Sequence, residues 1–174
     1  MHLLLTPKIL KRLRRELRRA GEREIGGLLM GEHVLDETFR VVEISVQRAG
    51  GSEACFVRDP TSHQTQLNEF FAQTGADYSR FNYLGEWHSH PTFEAVPSPT
   101  DVRTMQSLVS DPAVGVNFLV LLVARLSSGK RLEASATAFT PSASPTVIQI
   151  SAESSRKSRA KQGLYGWLRN VFRF

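Results

Sequence analysis

One cysteine in 174 residues is the first constraint this chain sets. Cys55 has no partner for an intrachain disulfide, and no Cys-x-x-Cys pair is present. That excludes both a disulfide scaffold and a cysteine-ligated structural zinc. Cys55 itself stands between Ala54 and Phe56 and reads as a strand position rather than a nucleophile. A reducing, cytoplasmic setting is the simplest compartment for such a composition. Long apolar runs are missing too. No segment approaches the roughly 18 consecutive apolar residues that span a bilayer. The opening Met1-His2-Leu3-Leu4-Leu5-Thr6-Pro7 is too short for a signal peptide and leads into a charged helix. No internal repeat is seen, and the length suits one domain with a sizeable core.

The net charge of +5 is unevenly spread. Residues 8–19 and residues 154–174 each carry a net +6, which leaves −7 for the remainder. Basic character lies at the two ends and the body is acidic, a distribution that argues against a nucleic-acid-binding domain. The basic surface expected on the first helix is either a solvated face or a docking surface for an acidic partner or nucleic acid.

The body carries Glu86-Trp87-His88-Ser89-His90-Pro91 and, with seven residues between His90 and Ser98, Ser98-Pro99-Thr100-Asp101. Residues i and i+2 of a strand share a face. The aromatic run Phe81–Trp87 therefore predicts a strand that presents His88 and His90 together, with Ser89 facing away and Pro91 ending it. Ser98, Pro99 and Asp101 form a helix start, with Ser at the N-cap and Pro at the first helical position. Val102, Met105, Leu108 and Val109 follow at helical spacing. Two His and one Asp are the donor set of a catalytic zinc site, which keeps three protein ligands and leaves one position open. A hydrolytic centre also needs a general base. Glu24, ahead of Gly26-Gly27 and an apolar run, is the candidate.

Together these residues resemble the signature of the JAMM/MPN+ zinc metalloprotease family: a Glu, then His-x-His, seven residues, Ser, two residues, Asp. The likeness extends over roughly residues 1–140. It implies that His88, His90 and Asp101 ligate one Zn2+ per chain. It also implies that Glu24 is the general base and that Ser98 hydrogen-bonds the developing oxyanion. The family cleaves isopeptide or peptide bonds after the C-terminal Gly of ubiquitin or a ubiquitin-like protein. An extended substrate tail is expected to add as a strand to a sheet edge.

The rest of the chain reads as α/β (α+β): a mixed sheet flanked by about three helices, matching the cytidine-deaminase-like JAMM/MPN sandwich. Leu3–Leu5 predicts a short strand. Thr6 and Pro7 open a helix that Gly21 closes, with Ile9, Leu10, Leu13 and Leu17 buried. Ile25–Gly31 and Phe39–Gln47 read as a hairpin, residues 50–52 as a turn and Cys55–Arg58 as a strand. Asp59-Pro60 opens a second helix with Leu67, Phe70 and Phe71 inward. Residues 117–125 form a buried central strand, Arg131–Phe139 the next and Val147–Ile150 the last. His2, His33 and His63 are expected to be structural or at the surface. The domain is set at residues 1–150. Residues 151–174 are read as a basic linker and a short amphipathic segment, which folds back, binds a partner or lies on an anionic membrane; the membrane reading is not favoured.

The chain lacks the long insertions with which large eukaryotic members grip a second ubiquitin. Gly85-Glu86-Trp87-His88-Ser89-His90-Pro91 resembles the compact prokaryotic proteases encoded with E1-like and E2-like enzymes in CBASS and other antiphage conjugation operons. Three alternatives stand beside that reading. One is processing of a ThiS- or MoaD-type sulfur carrier. Another is a RadC-like nucleic-acid-associated protein, from which Thr92-Phe93 departs. The third is a non-catalytic module with structural zinc.

Overall fold

A computed structural model describes residues 1–47, 51–52, 55–56, 60–128 and 131–154. The amphipathic segment at 163–174, Asp59 and Arg58 lie outside these residues. In chain order the elements are β1 (His2–Leu5), α1 (Pro7–Ala20), β2 (Gly26–Leu35), β3 (Thr38–Ile44), β4 (Gly51–Ser52), β5 (Cys55–Phe56), α2 (Pro60–Gln73), β6 (Phe81–Ser89), α3 (Pro99–Ser110), β7 (Leu119–Ser127), β8 (Arg131–Thr140) and β9 (Ala143–Ala152).

Seven strands pair in the order β1-β3-β2-β6-β7-β8-β9 and close into a barrel. The mixed sheet and three helices are as expected, but the sandwich is not. Closure comes from β1, which pairs in parallel with β3 on one side and with β9 on the other. A four-residue strand thereby removes both sheet edges. Each barrel strand now has a partner on both sides, so strand addition has no free barrel edge to use. Among the described residues, only the two-stranded β4–β5 ribbon stands outside the barrel. Gly51-Ser52, expected to be a turn, forms its first strand.

Local chemistry accounts for most of the elements. The Thr6 hydroxyl accepts from the Ile9 amide and Pro7 occupies the first turn, so α1 starts there. Its apolar stripe of Ile9, Leu10, Leu13 and Leu17 joins the main core with Leu3, Leu5, Leu29, Val41, Trp87 and Leu122. β7 is apolar from Leu119 to Ala124 because both of its faces are covered there. Val120, Leu122 and Ala124 face the main core, whereas Leu119, Leu121 and Val123 meet Met105 and Val109 of α3. β9 is longer than expected. It runs from Ala143 and carries the sheet through Ala152, and the Glu153 amide still donates to Leu5.

One glycine sets the phase of the functional strand. Gly85 has φ +136°, and a Cβ there would meet the Val120 carbonyl oxygen at 2.1 Å. The β2–β6 register slips at this point, from Leu29↔Gly85 to Met30↔Tyr83. Such a bulge reverses the alternation of side chains. Leu84 and Trp87, three residues apart, both point into the main core as a result. Glu86, His88 and His90 are left on the opposite, outward face.

Candidate metal centre

β6 and the N-terminus of α3 bring the metal-ligand candidates together. His88 and His90 are buried at the C-terminal end of β6, and the Trp87 indole between strand and core donates to the Ser45 carbonyl at 2.9 Å. Asp101 lies at the third position of α3. The Ser98 amide donates to Asp101 Oδ2 at 2.7 Å, and the Asp101 amide donates to Ser98 Oγ at 3.2 Å. This reciprocal capping box fixes the carboxylate as it starts the helix.

Three ligand atoms converge. His88 Nε2 lies 3.1 Å from His90 Nε2, 3.5 Å from Asp101 Oδ2, and His90 Nε2 lies 3.7 Å from the same oxygen. A tetrahedral zinc with bonds of about 2.0–2.1 Å holds its ligand atoms about 3.3–3.4 Å apart. The triangle therefore has the size of one face of that tetrahedron. His90 Nδ1 sits 2.9 Å from the Glu94 carbonyl, which accepts its proton and leaves Nε2 as the ligand. The donor set and its spacing fit zinc.

Glu24 lies far away in sequence but in the same cleft of about 680 Å3. It follows α1 in a segment outside helix and strand, and only 8% of its surface is exposed. Burial pushes its carboxyl above the usual glutamate range, against the opposing pull of His88 and His90. Burial pushes Asp101 the same way, but hydrogen bonds with His88 and His90 outweigh it and hold the carboxyl well below the usual range. The hydrogen bond with Asp101 raises the His90 imidazole, against the effect of burial. An anion beside two imidazoles, with a second carboxylate nearby, is a donor set that could hold a cation.

All five residues singled out in the sequence line this one cleft. Three contributors escaped sequence reasoning. Glu86 lines the floor with Met105 and Leu121. Its signal was its place two residues before His88, on the same face of the strand. Phe93, 58% exposed, stands at the mouth, its ring edge toward His90 at 6.4 Å. Ser89 does face away from the cleft, but its Oγ accepts from the Ile25 amide at 3.0 Å. The other histidines lie outside the cleft: His2 meets Ser151 Oγ, His33 is exposed and stacks on Phe39, and His63 is buried in α2.

A family model described as "Prokaryotic homologs of the JAB domain" matches residues 6–139, a span that includes all five. A Vibrio cholerae protein named "CD-NTase/cGAS isopeptidase" is 34% identical over 105 residues, 59% of this chain and 62% of that protein. The "Ubiquitin carboxyl-terminal hydrolase RPN11" of Saccharomyces cerevisiae is 33% identical over 84 residues, 48% of this chain and 26% of that protein. The chain thus spans less than two thirds of either relative. The solution structure of a Desulfitobacterium hafniense protein superposes with a TM-score of 0.66 at 21% identity, covering 92% of this chain and 99% of that one. The two share a fold.

Proposed function

Because the chain belongs to the prokaryotic JAB-domain family, we propose that it is a zinc-dependent isopeptidase that cuts after the C-terminal Gly of a ubiquitin-like modifier. The observation that carries this reading is the triangle of His88 Nε2, His90 Nε2 and Asp101 Oδ2, with Glu24 in the same cleft. The names of the Vibrio and yeast relatives support the bond type and the class of modifier. The likeness to the Vibrio protein favours a bacterial conjugation system served by E1-like and E2-like enzymes, with a role in antiphage defence.

His88, His90 and Asp101 would hold the ion. Zinc, once bound, supplies a Lewis acid for the scissile carbonyl and lowers the pKa of water. Glu24 takes a proton from the attacking water and passes it to the amine as the C–N bond breaks, leaving a carboxylate and a free amine. Its buried carboxyl is suited to this, because a base works best when its pKa lies near the working pH. The Ser98 Oγ accepts from the Asp101 amide, so its own proton is available to the developing oxyanion. The substrate tail runs along the outward face of β6, past the exposed rings and methyls of Phe93 and Val96. The approach favours small residues before the scissile bond.

The test uses ubiquitin fused through its C-terminal Gly to a reporter protein, alongside fusions of bacterial ubiquitin-like proteins. Zinc-loaded protein is expected to release a modifier whose mass ends at that Gly, and chelation is expected to stop the reaction. Cleavage that survives complete removal of zinc contradicts the proposal.

A further inference from the structure

Glu24 and the histidines it serves are brought together from distant parts of the chain, and the segment that carries Glu24 has neither helix nor strand to hold it. Something must fix a base within reach of the ion, since a displacement of about 1 Å can cost about a hundredfold in rate. The side chain next to Glu24, Ile25, is anchored in the main core. Its backbone is held by a single residue of the opposite strand. The Ser89 amide donates to the Ile25 carbonyl at 2.8 Å, and the Ile25 amide donates to Ser89 Oγ at 3.0 Å.

The register explains why a side chain makes the second bond. β2 and β6 pair in antiparallel fashion from Gly26↔His88 onward. Ile25 and Ser89 are the next pair, at the point where the two chains separate. Residues in such a pair ordinarily exchange two backbone bonds. Here the Ser89 amide makes one of the two, while the His90 amide, on the other edge of the strand, continues the β6–β7 ladder by donating to the Ala124 carbonyl. The Ser89 hydroxyl reaches across the widening gap and replaces the second backbone acceptor. Ser89 is only 1% exposed and points away from the cleft. A buried amide left without that oxygen has no water to turn to.

We infer that Ser89 is a positioning residue. Its hydroxyl clamps the Glu24–Ile25 backbone to the strand between His88 and His90, so that base and metal ligands are held as one unit. The residue at the centre of His-x-His is therefore not a spacer. It requires a hydrogen-bond acceptor, which Ser or Thr provides and Ala does not. The inference rests on Glu24 being the base, and its test is arranged to separate the two.

Parent, Ser89→Ala, Ser89→Thr and Glu24→Gln proteins are compared in three measurements: zinc per chain, amide hydrogen exchange at Ile25, and kcat and KM on the ubiquitin–reporter fusion. Ser89→Ala is expected to keep one zinc and to leave KM within about twofold. Its kcat is expected to fall at least tenfold, and the protection of the Ile25 amide to fall at least tenfold, while Leu28, bonded to Ser45 Oγ, keeps its own. Ser89→Thr is expected to return both quantities to within about threefold of the parent. Unchanged Ile25 protection in Ser89→Ala overturns the clamp whether or not the fusion is cut. Parent-like kcat in Ser89→Ala, beside an inactive Glu24→Gln, overturns the positioning role alone. Glu24→Gln cleaving like the parent instead overturns the assignment of the base.

Discussion

At the scale of single residues, burial is what gives Glu24 its chemistry. A carboxylate in water would be fully ionised and weakly basic at neutral pH, whereas here burial raises its pKa. The sign for activity follows. Glu24 must be ionised to accept a proton, and a raised pKa means that this form is lost sooner as pH falls. In the zinc-free protein the Glu24 carboxyl is expected to titrate above about 4.3, the ordinary glutamate value, as read by NMR. A zinc-free Glu24 that titrates at or below that value contradicts the effect of burial. The histidine pair and the Ser98–Asp101 cap were legible in the sequence because each lies within a few residues and obeys a local period or capping rule. Glu24 was legible only through the family signature, since no local rule links it to residues more than sixty positions on. Glu16 was not legible at all. Among the arginines of α1 it reads as solvated, yet it is buried at 1% exposure and paired with Arg15.

Elements matter through how they aim these side chains. α3 starts on the reciprocal pair of Ser98 and Asp101, so one motif both caps a helix and sets a metal ligand. Ser98→Ala is expected to cost about 1 kcal/mol, read as a fall of about 2–4 °C in Tm, together with weaker zinc binding as Asp101 loses its constraint. Unchanged zinc affinity in that variant contradicts the coupling of cap and ligand. β6 depends on Gly85 in a different way. A side chain there would collide with the backbone of β7 at a φ that L-residues rarely adopt. Gly85→Ala is expected to destabilise the fold by about 2 kcal/mol or more, from backbone strain and the collision. A urea midpoint within error of the parent contradicts this account. The bulge was not legible, because alternation alone gives no sign of where a strand changes phase. The start of β9 was missed because Ala143, Ser144, Pro145 and Thr146 are exposed. Pairing of Ala143 with Thr140 and of Thr146 with Ala138, rather than burial, keeps this stretch in the sheet.

For the whole molecule, closure of the barrel is the feature sequence patterns could not supply, since the parallel pairs of β1 join residues far apart in the chain. Closure also carries the barrel past residue 150. Ser151 and Ala152 pair with Leu4 and Leu5, and Glu153 meets Arg40. A chain cut after Ile150 is expected to melt clearly lower than one cut after Ser154. Equal melting of the two truncations contradicts the role of β1–β9 pairing. Glu32 ties the same region together, held by Arg80 and Arg40. Burial alone would raise its carboxyl, but hydrogen bonds from Arg80 and Arg40 outweigh it and hold it low. A carboxyl held low in the fold adds stability that is present above the ordinary value of about 4.3 and lost as pH falls through the folded value. The parent is therefore expected to lose more stability than Glu32→Gln between about pH 6 and about pH 3.5, as read by urea unfolding. Equal losses in the two proteins contradict the linkage. The central claim is that this fold assembles a hydrolytic zinc centre rather than a structural one, and the zinc-loaded Glu24→Gln protein tests it most directly. The account predicts one zinc per chain and a kcat on the ubiquitin–reporter fusion at least about a hundredfold below the parent. Full zinc occupancy with parent-like cleavage would contradict it.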